Sequence, residues 1–185
     1  MPPKRDALTK AQTPHVVFQP HTYRGMQQGI NTLVEAIKPT LGPRPRTVAL
    51  ERMPRTQAPE LVDKGALIAR RITDLADPDA DMGAMLLRQM LWKQYEVVGD
   101  GTAASAVLFQ SLFNDGVKYI TAGGNAMQLG TYLVEGLRSV LVCLSQQKAT
   151  LQGREQIRQV ALTLSQDSQI AETLSEVFEV LGEYA

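Results

Sequence analysis

The chain has 185 residues, with 19 Lys and Arg balanced by 19 Asp and Glu, so its formal net charge is zero. That balance excludes a protein that holds nucleic acid or a membrane surface by bulk positive charge. With 44% apolar and 21% charged residues, the chain is too apolar to be a disordered polymer, and it contains no apolar run long enough to span a bilayer.

The first residues, Met1 to Lys10, lack the apolar core of a signal peptide. Residues 1–14 hold three of the ten prolines and a small basic excess, which predicts a disordered tail. His15-Val-Val-Phe18 is a short strand candidate. Met26, Ile30, Leu33, Val34 and Ile37 then recur at helical spacing, in a helix that must stop near Pro39. Thr47–Glu51 and Glu60–Asp63 are short β segments on either side of the loop Arg52–Pro59, and are expected to form a hairpin.

Proline vanishes after Pro78, so the remaining 107 residues are free to be nearly all helix. Met82, Met85, Leu86, Met90 and Val97 mark one apolar stripe. Val107, Phe109, Phe113, Val117 and Ile120 mark the next. Leu129, Leu133, Leu137, Val140, Leu141 and Leu144 form a third behind the capping candidate Asn125. A shorter helix is expected around Glu155–Leu164, and a last one, with Ser168 as its capping candidate, carries Ile170, Leu174, Val177, Phe178 and Leu181. The single cysteine, Cys143, permits no internal disulfide, fits a reducing compartment and is expected in a helix core. The class read from the residues is a mainly α, soluble, cytoplasmic protein.

Charge is uneven along the chain. Arg44, Arg46, Arg52 and Arg55 face only Glu51, while Asp167, Glu172, Glu176, Glu179 and Glu183 occur with no base among them. Two solvated faces are the plain reading; complementary contact between subunits is the sharper one. His15 and His21 are too few for a metal site, and no Gly-x-Ser-x-Gly elbow supports a hydrolase.

Two loops carry chemistry. Gly99-Asp100-Gly101-Thr102 precedes a helix, so backbone turn, free amides and one carboxylate could meet a phosphate and a magnesium ion; an ordinary capped turn is the simpler account. Thr40-Leu41-Gly42-Pro43 ends the first helix, either as a plain stop or as a second turn lying against a nucleotide.

Taken in order with their surroundings, these stretches resemble the amino-terminal region of the group I chaperonins, the GroEL-like proteins. The resemblance is carried by Met26–Asn31, Thr40–Arg46, Gly65–Arg70, Asp81–Ala84, Gly99–Thr102 and Ala122–Met127, and extends over roughly residues 16–185. It implies a helical equatorial-domain-like portion over 15–145 and the first segment of an intermediate-domain-like region over 146–185, with short β segments near the amino terminus. It also implies an ATP pocket. Thr40, Leu41, Gly42 and Pro43 match the loop lying on the nucleotide, Asp100 matches the carboxylate that holds Mg2+, and Gly101, Thr102, Ala103 and Ala104 match the phosphate-cradling turn.

Three positions depart from the family. Ala103 and Ala104 stand where threonines are usual, so two hydroxyl donors are gone. Lys64 fills the catalytic aspartate position with Asp63 one residue earlier, on an extended segment where neighbours are expected to point to opposite sides. Asp63 is therefore carried as the catalytic and nucleotide-contacting candidate. Pro45 replaces a glycine.

The family's equatorial domain is completed by the carboxy-terminal part of its chain, so this chain is expected to be a piece of a longer protein rather than a truncated relative. The implied function is that of an ATP-binding chaperonin subunit working in a ring of identical or related subunits. Unfolded clients would be held by an apical domain outside this chain, with a possible co-chaperonin. A diverged, non-hydrolysing scaffold is the alternative.

Overall fold

The computed structural model describes residues 16, 18, 19, 21–52 and 57–182. The expected tail over 1–14 and most of the strand candidate at His15–Phe18 lie outside them. Helix α1 (His21–Ile37) runs into a 3-10 turn at Lys38–Thr40, where Pro39 ends the α-helical hydrogen-bond ladder. Helix α3 (Pro78–Val98) starts on Asp77, whose carboxylate accepts from the Asp79 N–H at 3.0 Å, with Pro78 supplying the preset first-turn angle. It ends on Gly99, which adopts the left-handed conformation at φ 81°.

The α1–α3 crossing organises the core. Gly29 lies so close to α3 that an added Cβ would sit 1.7 Å from the Ala80 carbonyl oxygen, and one at Gly83 would sit 2.2 Å from that of Met26. Backbone-to-backbone approach lets Ile30, Leu33, Val34 and Ile37 of α1 meet Leu87 and Leu91 of α3, all fully buried. Each such side chain contributes about 1.5–3 kcal/mol relative to exposure. The same crossing corrects the expected stripe on α3. Its buried face is Ala80, Gly83, Ala84, Leu87 and Leu91, while Met85, Leu86 and Val97 are exposed. Close approach selects small residues for the inner face, so the larger apolar side chains flank it.

Strands β1 (Val48–Leu50) and β2 (Glu60–Val62) pair antiparallel with Val48 opposite Val62, the expected hairpin. Helix α2 (Gly65–Arg71), quoted in the sequence only as a motif, places Ile68 in the core beside Val62. Arg71 grips Glu60 through two hydrogen bonds of 2.8 and 3.0 Å, which holds the Glu60 carboxyl below its ordinary value. Arg88 of α3 donates to the carbonyls of Ile72 and Thr73 and to Asp81, fastening the end of α2 to α3.

Helix α4 (Thr102–Thr121) packs Ala106, Val107, Phe109 and Phe113 toward this core. Asn31 of α1 accepts hydrogen bonds from Gln110 and Asn114 on α4's polar side. Helix α5 (Ala126–Gln147) begins on Asn125 as expected, its side chain accepting from the Met127 and Gln128 N–H groups. No residue of α5 is buried, which corrects the placement of Cys143: its thiol is exposed, on a helix whose start alone, at Leu129, comes near α4 at Gly116.

Helices α6 (Gly153–Ser165) and α7 (Ser168–Leu181) pack on each other through Ala161, Ala171 and Ser175. Asp167, not Ser168, caps α7, accepting from Gln169 and Ile170 N–H groups. The acidic run on α7 finds its base within the chain: Arg154 of α6 donates to Glu172, Glu176 and Glu179. Among the described residues no helix is long and apolar enough to cross a membrane.

Candidate functional site

The two loops singled out from the sequence come together, joined by a third. One cavity of about 480 Å³ is lined by Thr40–Pro43 and Pro45, by Asp63–Gly65 between β2 and α2, and by Gly99–Ala104 between α3 and α4. Its size lies in the usual range for small-molecule sites, about 300–1,000 Å³. All the residues singled out as nucleotide, magnesium or catalytic candidates are in this lining: Thr40, Leu41, Gly42, Pro43, Asp63, Asp100, Gly101, Thr102, Ala103 and Ala104.

Local chemistry explains each loop. The segment after Thr40 is drawn into a closed turn by the Arg46 N–H, which donates to the Pro39 carbonyl at 3.1 Å. Gly42 sits at its tip at φ 109°. Gly99 and Gly101 flank Asp100 at φ 81° and 76°, angles that a residue with a Cβ adopts only at a cost. Gln94 braces this turn by donating to the Asp100 carbonyl at 3.1 Å. Helices α3, α5 and α7 carry side-chain caps; α4, like α2 and α6, has none, so the first turn that lines the cavity at Gly101–Ala104 has no side-chain cap.

Two buried threonines fasten the loops. Thr40 donates its hydroxyl to the Ile37 carbonyl at 2.8 Å, and the Thr102 hydroxyl accepts from the Ala66 N–H at 3.2 Å. The latter bond ties the start of α4 to the start of α2. Gly65 makes the approach possible, since a Cβ there would meet Ile37 Cγ2 at 2.8 Å and the Thr102 hydroxyl at 3.2 Å.

Asp63 and Lys64 both contribute to the cavity wall, and Lys64, the residue before α2, still has extended backbone at φ −102° and ψ 123°. The Lys64 ammonium lies 5.8 Å from the centroid of the Tyr95 ring. Tyr95, one turn before Gly99 on α3, is a lining residue that the sequence reading passed over; its i−4 spacing from the Gly99 turn was the available signal. Leu164, reaching the cavity from α6, had no local signal at all. Among the described residues there is no cluster of three or more His, Cys, Asp or Glu able to hold a metal by themselves.

This helical fold, with one short hairpin and a glycine-built cavity between helix ends, is that of a chaperonin equatorial region. The model of the TCP-1/cpn60 chaperonin family matches residues 33–181, and the chain belongs to that family. Its fold is similar to the crystal structure of the chaperonin gp146 from the bacteriophage EL 2 (Pseudomonas aeruginosa) in the presence of ATP-BeFx, with a TM-score of 0.67 at 21% identity. The match covers 85% of this chain and 27% of that one, so the chain spans about a quarter of that chaperonin's length.

Proposed function

We propose that this chain is the nucleotide-binding part of a chaperonin subunit, with ATP and Mg2+ as the ligands of the three-loop cavity. The observation that carries the reading is the convergence of Gly42, Gly99 and Gly101, all at positive φ, on one cavity that also receives the uncapped start of α4. Glycine turns let backbone amides approach phosphate oxygens, and the helix start favours their charge. Mg2+ takes oxygen ligands and commonly one or two carboxylates plus phosphate oxygens. Asp100 and Asp63 are the carboxylates on this wall, which suits that donor set without a dedicated protein cage.

When bound, Mg2+ would neutralise phosphate charge. The chain's own residues cradle the phosphates with the Gly101–Ala104 amides, cover the nucleotide with Thr40–Pro43, and orient the cation from Asp100. Residues 15–145 then form an equatorial-domain-like unit and 146–185 the first part of an intermediate-domain-like region. The subunit works in the cytoplasm, in a ring of identical or related subunits, with unfolded clients and a possible co-chaperonin engaged through parts outside this chain.

Lys64 favours a second reading, a scaffold that holds nucleotide without turning it over. An ammonium cannot serve as the acceptor for a proton from attacking water, and Asp63 is the one acid beside it.

Titration with ATP and Mg2+, followed by fluorescence or calorimetry, tests the site. Saturable binding is expected, weakened on the order of 10–100-fold by Asp100→Ala, the loss of one charge-assisted contact. Hydrolysis is expected on the order of 10²–10⁴-fold slower than in a chaperonin carrying the full acid set. Binding that is absent, or indifferent to Asp100→Ala, would remove the nucleotide assignment.

A further inference from the structure

We propose that Lys64 is a phosphate-binding residue of this cavity, and that its ammonium lets the site hold a nucleoside polyphosphate without a divalent cation. The inference rests on the nucleotide reading above and adds to it a ligand-binding residue and an altered metal requirement. Lys64 is the sole cation among the described residues lining the cavity, where it stands with Asp63 and Asp100. Two carboxylates alone would repel a polyphosphate and leave all charge neutralisation to a bound metal ion. One ammonium on the same wall changes that balance.

Lys64 is exposed, and its ammonium is free to donate. At 5.8 Å from the Tyr95 centroid it lies at the outer edge of cation–π range, about 6 Å, and no described carboxylate forms an ion pair with it. A ring contact uses none of its three N–H donors, so a phosphate oxygen displaces the ring readily. Tyr95 meets Trp92 in a tilted contact, ring centroids 5.5 Å apart and planes at 38°, and Arg70 lies over Trp92 at 4.3 Å.

The backbone of Lys64 is closely placed. It is the residue on which α2 starts, and the adjoining Gly65 is wedged so tightly that a Cβ there would approach the Ala103 nitrogen to 3.3 Å. The backbone at Lys64–Gly65 therefore lies beside the start of α4, whose first turn favours negative charge. The methyl side chains of Ala103 and Ala104 donate nothing, so a charge-assisted side-chain contact from this wall falls to Lys64. A flexible four-carbon stem bearing a point charge reaches several phosphate positions, as a fixed carboxylate–metal pair does not.

The test is titration of a fluorescent ATP analogue into the purified chain, once with Mg2+ and once with EDTA. Wild type is compared with Lys64→Ala, Lys64→Arg and, as a general charge control, Lys93→Ala on the exposed side of α3, with circular dichroism checking that each folds. Wild type is expected to bind in EDTA. Lys64→Ala is expected to weaken that binding on the order of 10–100-fold and binding in Mg2+ by less. Lys64→Arg should restore it and Lys93→Ala leave it unchanged. Binding in EDTA that Lys64→Ala does not alter, or that wild type lacks while binding in Mg2+, overturns the role of Lys64 and leaves the nucleotide reading standing. No binding in either buffer overturns both.

Discussion

Helices α1 and α5 have the same apolar periodicity and opposite surroundings. In α1, Ile30, Leu33, Val34 and Ile37 are completely buried; in α5, Leu133, Leu137, Leu141 and Leu144 are 47–57% exposed. The difference lies in the small residues. Gly25 and Gly29 of α1 lie against α3 at Asp79 and Ala80, and Gly83 of α3 returns the contact at Met26. Gly130 and Gly136 of α5 have nothing within 4 Å. Periodicity shows which side of a helix is built to be covered, whereas small residues on a facing element show that the cover belongs to the same chain. Helices α6 and α7 fall between the two, covering each other at Ala161, Ala171 and Ser175.

Substitutions that sample both helices would break this comparison if it is mistaken. Leu87→Ala in the packed body is expected to cost about 2–5 kcal/mol, because it leaves a cavity among side chains that cannot collapse. Leu141→Ala on α5 should stay within about 0.5 kcal/mol, as for an uncovered surface position. Chemical denaturation of the two variants checks the pair, and equal losses would mean that α5 is covered in solution. The glycines sharpen the same contrast with smaller effects of opposite sign. Gly29→Ala forces a methyl into the Ala80 carbonyl and should destabilise by about 1–3 kcal/mol. Gly136→Ala meets open space in mid-helix and should stabilise by about 0.5–1 kcal/mol, read as a raised midpoint or increased helical circular dichroism.

The sequence made the local devices readable. Pro39 as a stop, Asn125 as a cap and the Val48–Val62 hairpin follow from chemistry within a few residues, and Gly99-Asp100-Gly101 announces its turn by composition. The family resemblance then joined loops that lie about sixty residues apart. What escaped was long-range. An apolar helix suggests a core position for Cys143, yet burial depends on a neighbour that spacing cannot supply. Hydropathy favours Met85 over Ala84 for the inner face of α3, although a close crossing needs the smaller residue. That Asp63 and Lys64 border the same cavity is equally long-range, set by where β2 hands over to α2.

The smallest expected effect compares two exposed ion pairs. Glu60 and Arg71 join β2 to α2 across eleven residues, while Glu155 and Arg158 lie one turn apart within α6. The hydrogen bond from arginine lowers the carboxyl value in both, Arg71 acting on Glu60 and Arg158 on Glu155. A carboxyl with a lowered folded value contributes stability that is complete above its unfolded value, here 4.5, and is lost as the pH falls through the lower folded value. Glu60→Gln should therefore lower the unfolding midpoint slightly at pH 7, with the gap to wild type closing as the pH drops below 4.5 and shrinking in high salt. Glu155→Gln should leave the midpoint of the packed body unchanged at every pH, because its pair closes within one turn of a helix that packs chiefly on α7. A Glu155→Gln shift as large as that of Glu60→Gln, followed by thermal melts from pH 7 downward, would show that α6 and the packed body unfold as one unit.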